Sequence, residues 1–299
     1  MKITLDLTDL VAKGQLTRAE ADRLKGLAAL DTGALGVNIL LAFGAVAVSA
    51  GIGVLIPSIL TLIALGAAFF SVGLSLTLAK QERWGVFAQI MMVIGALAFT
   101  GGVSAYAGGN LYVNIVLTLI TAGAAVLSRS GLLAAVAVIA VATTIGTIYS
   151  GWNLEGGATV ITMVALSALA FVLYQASLRL PAVHENLAIV GARTAVFMVN
   201  IAFLFGSIFG DTSTGIPAQA FAVAWAVLLV VVGVWAMRAG RRWTVNIVAV
   251  FGGIHFLCQW FIYLGANPGT ILGAGVLLIV FGFALKALND RRKPAVAAT

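Results

Sequence analysis

Residues 243 to 267, WTVNIVAVFGGIHFLCQWFIYLGAN, hold 25 residues with no charge at all and a phrase that returns three more times in the chain. Val245-Asn246-Ile247, four apolar residues, then Gly252-Gly253-Ile254 recurs as Val37-Asn38-Ile39 to Gly44-Ala45-Val46. It recurs again as Ala88-Gln89-Ile90 to Gly95-Ala96-Leu97, and as Val199-Asn200-Ile201 to Gly206-Ser207-Ile208. An uncharged apolar run of this length is what a helix needs to cross a hydrocarbon core of roughly 30 Å. Four copies of one phrase predict an all-α, polytopic membrane helix bundle.

Composition points the same way. The 299 residues are 62% hydrophobic and 9% charged, with a mean hydropathy of +1.11, which excludes a soluble globule. The 34 glycines suit membrane helices, where small residues let backbones approach. A lone cysteine, Cys258, excludes an internal disulfide, and two histidines, His184 and His255, cannot supply a conventional zinc set. No metal or other cofactor is expected.

Ten spans are expected: 35–56, 58–79, 85–106, 110–128, 131–150, 157–178, 192–213, 217–237, 243–264 and 269–287. The polar segment 1–30 lacks the pattern of a signal peptide. Within it Gly14 interrupts a first helical pattern, and Thr17 with Glu20 forms a capping box opening a second. A cytoplasmic helical hairpin over 1–30, ahead of a transmembrane domain over 31–299, is the expected division.

Lys and Arg then sort by loop. Lys80 and Arg83, Arg129, Arg179, the group Arg238, Arg241 and Arg242, and the tail 288–299 fall on one side, and the alternate loops hold none. The net charge of +7 is thus an orientation signal, placing both termini in the cytoplasm of a bacterial inner membrane. Nucleic acid is not an expected partner; the lipid bilayer is.

The four phrases sit on the first, third, seventh and ninth spans. Asn38 aligns with Asn200 at a shift of 162, Gly73 with Gly233 at 160, and Gln89 with Asn246 at 157. Spans one to four (repeat A, 35–128) thus read as duplicated in spans seven to ten (repeat B, 192–287), with an intervening hairpin at 131–178. Six spans separate equivalent positions, so the copies run parallel. A ten-span chain also looks like the drug/metabolite transporter superfamily, but that family is similar to two five-helix halves of opposite orientation, which these shifts do not fit.

Three features together resemble another family: Leu10-Val11-Ala12-Lys13-Gly14-Gln15-Leu16-Thr17 leading into Ala21 and Leu24, the Asn38-Ile39 to Gly44 first span, and a last hairpin, Leu272 to Lys293, closing on a basic tail. The chain is similar here to uncharacterised bacterial polytopic integral-membrane proteins, a domain of unknown function with an N-terminal helical hairpin. The resemblance implies the bundle and brings no activity to carry over.

No nucleophile with an adjacent base, phosphate-cradling loop or metal cluster is visible, so an enzyme is not expected. Polar groups inside spans are then the candidates for function. His255 lies roughly 18 Å into its span at about 1.5 Å per residue. It shares a helical face with Cys258, Gln259 and Tyr263. Asn38, Gln89, Asn200 and Asn246 form either a ring of amides around a path or ordinary bonds to backbone carbonyls. Arg193, Asn200, Ser207 and Asp211 fall on one stripe, with Arg193 either lining a path or anchoring at the interface.

The expected function is binding or transport of a small neutral or amphipathic molecule between the duplicated units. The alternative is a scaffold or accessory subunit that docks a cytoplasmic protein through residues 1–30.

Overall fold

A computed structural model describes residues 10–11, 14–150 and 159–290, with the side chains of 22–36, 82, 147–150, 183 and 284–290 left aside. The structure of residues 1–9, of the loop Trp152 to Glu155 and of Arg291 to Lys293 lies outside the described residues. Ten long α-helices occur among the described residues, and no strand. They are α1 (Arg18–Leu55), α2 (Ile59–Leu78), α3 (Gly85–Tyr106), α4 (Leu111–Ser128), α5 (Gly131–Ser150), α6 (Thr159–Ser177), α7 (Ala182–Phe209), α8 (Ala218–Arg238), α9 (Arg242–Leu264) and α10 (Pro268–Asp290).

Eight of them are long and apolar enough to cross a membrane. In α5 and α10, where further spans are expected, the described apolar stretches are the shorter Gly131–Gly146 and Pro268–Phe283. Large apolar side chains such as Leu40, Phe43, Leu55, Leu119 and Val230 point away from the protein. In water such a surface would aggregate; in hydrocarbon it is solvated. The chain is a multi-pass helical membrane protein.

The helix ends follow local chemistry. Thr17 caps α1: its Oγ1 accepts from the Glu20 N–H, and the Glu20 carboxylate accepts from the Thr17 N–H at 2.9 Å. The Thr17 hydroxyl, which donates to the same carboxylate at 2.7 Å, and the Thr17 N–H together hold the Glu20 carboxyl below the usual range. Ser58 caps α2 and Asn110 caps α4 by accepting from the first-turn N–H groups. At the other ends, Lys80 and Arg129 adopt left-handed backbone, φ 53° and 52°, and stop α2 and α4.

One boundary differs from expectation. The capping box does not open a short helix ending near Leu30; α1 runs unbroken from Arg18 to Leu55, 38 residues. No proline lies between Thr17 and Pro57, and the joining stretch is rich in Ala and Leu, so nothing in the chain stops the helix.

The chain divides into two compact units, one formed by Met1–Ile148 with Phe171–Thr194, the other by Tyr149–Ala170 with Ala195–Thr299. In the first, the tightest packing joins α2 to α3. Gly66 and Gly73 on α2, and Gly95 and Gly102 on α3, are each seven residues apart, two helical turns on one face. A methyl at Gly66 would meet the Phe99 backbone N, and Ala98 C at 2.9 Å; one at Gly73 would lie 2.7 Å from Met92 N. At Gly95 it would strike the Phe70 backbone N, and Gly66 O at 2.8 Å. The two backbones are in direct contact. Met92, Ala96, Ala124, Ala125, Leu133 and Val136 extend this contact into a core with α4 and α5.

In the second unit the core is aromatic. Phe203 of α7, Phe221, Trp225 and Leu229 of α8, and Phe251 of α9 close around one another. Gly233 faces Val248 with 3.1 Å available for a methyl, a looser approach than at Gly73.

Backbone contact of this kind makes a sharp prediction. Gly95→Ala forces α2 and α3 apart and costs about 1–3 kcal/mol by overpacking. Gly101→Ala, in the same helix with nothing within 4 Å, is neutral or stabilising by up to about 1 kcal/mol. Unfolding of the two variants in detergent, side by side, checks this; equal melting would refute the close-contact account.

Candidate functional site

The site grows from α8 and α9. Phe251, 1% exposed, fixes which face of α9 turns inward, and His255 follows one turn later on that face. Both rings meet Trp225 of α8: His255 edge-on at 4.9 Å between centroids, Phe251 tilted at 6.2 Å. Phe203 stacks on the same indole at 6.3 Å.

Trp225 is fully buried, so its indole N–H needs an acceptor. Asn200 of α7 supplies one: its Oδ1 accepts from Trp225 Nε1 at 3.0 Å, and its Nδ2 donates to the Val196 carbonyl at 2.9 Å. An ordered path therefore runs from the α7 backbone through Asn200 and Trp225 to His255. It holds the imidazole by packing, and spends no hydrogen bond on it.

That omission defines the site. His255 Nδ1 and Gln259 Nε2, one helical turn apart, are buried side-chain nitrogens with no hydrogen-bond partner. Leaving such a group unmade costs about 1–3 kcal/mol. A neutral imidazole nitrogen accepts or donates according to tautomer, and the glutamine amide donates. Together they offer two polar contacts on positions whose Cβ atoms lie about 5–6 Å apart, as i and i+4 neighbours do. The whole of α9 beyond Arg242 holds no charged residue, so the pair suits a neutral polar group. Cys258 is a half-buried free thiol beside them.

The other candidate residues take different places. Tyr263 is 69% exposed: each four-residue step overshoots a full turn by about 40°, so two steps carry it off the His255 face. Asn246 is exposed, and nine residues before His255 is half a turn away, on the opposite face. In the first unit, Asn38 is buried and its Nδ2 donates to the Arg83 carbonyl at 3.0 Å, Gln89 is half-buried on α3, and Arg193 is exposed on α7. The structure brings Asn200 to His255 through Trp225, and places Gln259 beside it.

Further along the α7 stripe, Ser207 and Asp211 make local hydrogen bonds. Ser207 donates to the Leu204 carbonyl at 2.8 Å. Asp211, 2% exposed, organises the turn after α7: its carboxylate accepts from the N–H groups of Ser213 and Thr214, from the Ser213 hydroxyl, and from Val160 N–H in the first turn of α6. Burial disfavours the charged carboxylate, but the Ser213 hydroxyl and the N–H groups of Val160, Thr214 and Ser213 outweigh it and hold the carboxyl below its usual range.

Sequence reasoning missed Trp225, although a signal was present. Tryptophan in spans favours the interfaces, and this one lies eight residues into α8, away from both ends, needing a polar partner wherever it is buried.

Eight described helices of membrane-spanning length and composition define a helical integral membrane protein. No family model, curated protein or solved structure matches the chain.

Two variants test these contacts. Asn200→Leu strands the Trp225 N–H and costs about 1–3 kcal/mol, most of it recovered in Asn200→Leu with Trp225→Phe, where both partners are gone; a double-mutant cycle of unfolding free energies reads this directly. For Asp211, a lowered folded-state pKa contributes stability above the unfolded value of about 3.9, lost as pH falls through the folded value. Asp211→Asn is therefore less stable than wild type at pH 7 by about 1–3 kcal/mol, and the gap narrows below about pH 4.

Proposed function

We propose that this protein binds a small neutral or amphipathic molecule within the membrane, with His255 and Gln259 as its polar contacts, and that binding is a step in its transport. One observation carries the reading: two buried nitrogens, one turn apart, lie without partners beside a rigidly held indole. A structural polar pair would be satisfied by its neighbours, as Asn200 is. A ligand carbonyl or hydroxyl would complete both.

Ten spans with both termini in the cytoplasm of a bacterial inner membrane fit this reading. Lys80, Arg83, Arg129, Arg179, Arg238, Arg241 and Arg242 all fall at helix ends or the turns beside them, and the alternate turns carry no Lys or Arg. A parallel duplication is supported by Gly73 and Gly233, both buried opposite the following helix, and by repeat A lying in the first unit while nearly all of repeat B lies in the second. The family resemblance carried by residues 10–24 remains part of the proposal.

The rival scaffold draws on α1, whose continuity would tie a docked cytoplasmic partner directly to a span. Deleting residues 1–16 would abolish recovery of such a partner while leaving the bundle folded.

Cys258 provides the test, because it lies one turn from His255 and no other thiol competes. A small membrane-impermeant maleimide is expected to label Cys258 in intact cells or inverted vesicles, and labelling to fall in His255→Phe, whose larger ring narrows the proposed path. Protection from both sides until denaturation overturns an aqueous path to this site. Gln259→Leu, which removes an unmet donor, is expected to raise stability by about 1 kcal/mol; a loss of stability would mean that Gln259 holds the fold.

A further inference from the structure

Between the second half of α1 and the α2–α3 pair lies a cavity of about 540 Å³, wholly within the first unit. Val46, Ser49, Ala50 and Gly53 form one wall at helical spacing, Leu62, Leu65 and Phe69 a second, and Ile94 and Ala98 the third, with Pro57 and Ser58 of the α1–α2 turn at one end. Its size is that of a ligand site.

The lining decides the ligand class. Only two hydroxyls reach it, and both are engaged: Ser49 Oγ donates to the Ala45 carbonyl at 2.8 Å, and Ser58 Oγ accepts from Leu60 N–H at 3.2 Å. No charged residue lines the space, so a headgroup, sugar or ion finds no counterpart. The floor is held by Gly66 and Ala98 at the crossing of α2 and α3, where a methyl on Gly66 would strike the Ala98 and Phe99 backbones. An apolar void in a membrane protein forfeits its dispersion contacts unless hydrocarbon fills it.

We propose that this cavity is a binding site for one long hydrocarbon chain, supplied by a phospholipid tail or by a single-chain amphiphile. It draws on no part of the His255 and Gln259 reading.

Gly53 makes the test clean. A methyl added there meets nothing within 4 Å, so Gly53→Leu projects into open space without forcing the helices apart. Full-length protein would be purified in a sterol-based detergent, which carries no alkyl chain of its own, and bound lipid read by native mass spectrometry and by extraction. Wild type is expected to retain about one chain-bearing lipid per protein. Displacing two methylenes of that chain weakens binding about tenfold, so Gly53→Leu retains correspondingly less at unchanged helicity. Ala50→Phe does the same should Gly53→Leu not fold, and Gly101→Ala retains lipid as wild type does. Phosphate in the extract identifies a phospholipid, and its absence a single-chain amphiphile. Equal retention by wild type and the filled variants, meaning an adventitious lipid only, or no retained chain in any of them, overturns the proposal.

Discussion

The contact of backbone on backbone between α2 and α3 is the constraint from which the rest of the first unit follows. Lipid tails are as apolar as leucine, so helices in a membrane gain little by hiding apolar side chains from their surroundings; they associate through close packing and polar bonds. Gly66, Gly73, Gly95 and Gly102 remove side chains along one face of each helix and let the main chains meet. Once that pair is set, Met92 and Ala96 are presented to α4 and α5, and Asn38 of α1 reaches the Arg83 carbonyl at the turn between α2 and α3. The second unit solves the same problem differently, with interlocking rings around Trp225 and a single amide to satisfy the indole.

Polar groups separate structure from function in this protein. Thr77, Thr100, Thr121, Ser128 and Thr194 each donate to a carbonyl four residues earlier, the inexpensive way to carry a hydroxyl through hydrocarbon. Asp211 accepts four hydrogen bonds and ties its turn to α6. The His255 and Gln259 nitrogens have no such bond.

Much of the architecture was legible because each apolar run ends on a residue with a reason to end it. Pro57, Pro217 and Pro268, the glycines at positive φ such as Gly210, Gly240 and Gly265, and the basic clusters punctuate the spans. The continuation of α1 past Leu30 was not, because polar residues such as Lys25 and Asp31 suggest a surface helix, and only the lack of a breaker says that it continues. His255, Gln259 and Asn200 could be picked out as polar residues in apolar runs. Their association could not: Trp225 joins them from another helix, and no spacing within one helix encodes a contact between two. Asn246 and Tyr263 were grouped with them by repeat and by step, while helical phase carries both to other faces.

In its dimensions, α1 is one long rod. Its 38 residues measure about 57 Å at about 1.5 Å per residue, against a hydrocarbon core of roughly 30 Å. Only Val37–Leu55, 19 residues of the rod, is apolar enough to cross a membrane, and that half also forms a wall of the apolar cavity. The helix is continuous, so the Thr17 cap and the cavity wall at Ala50 and Gly53 belong to one element.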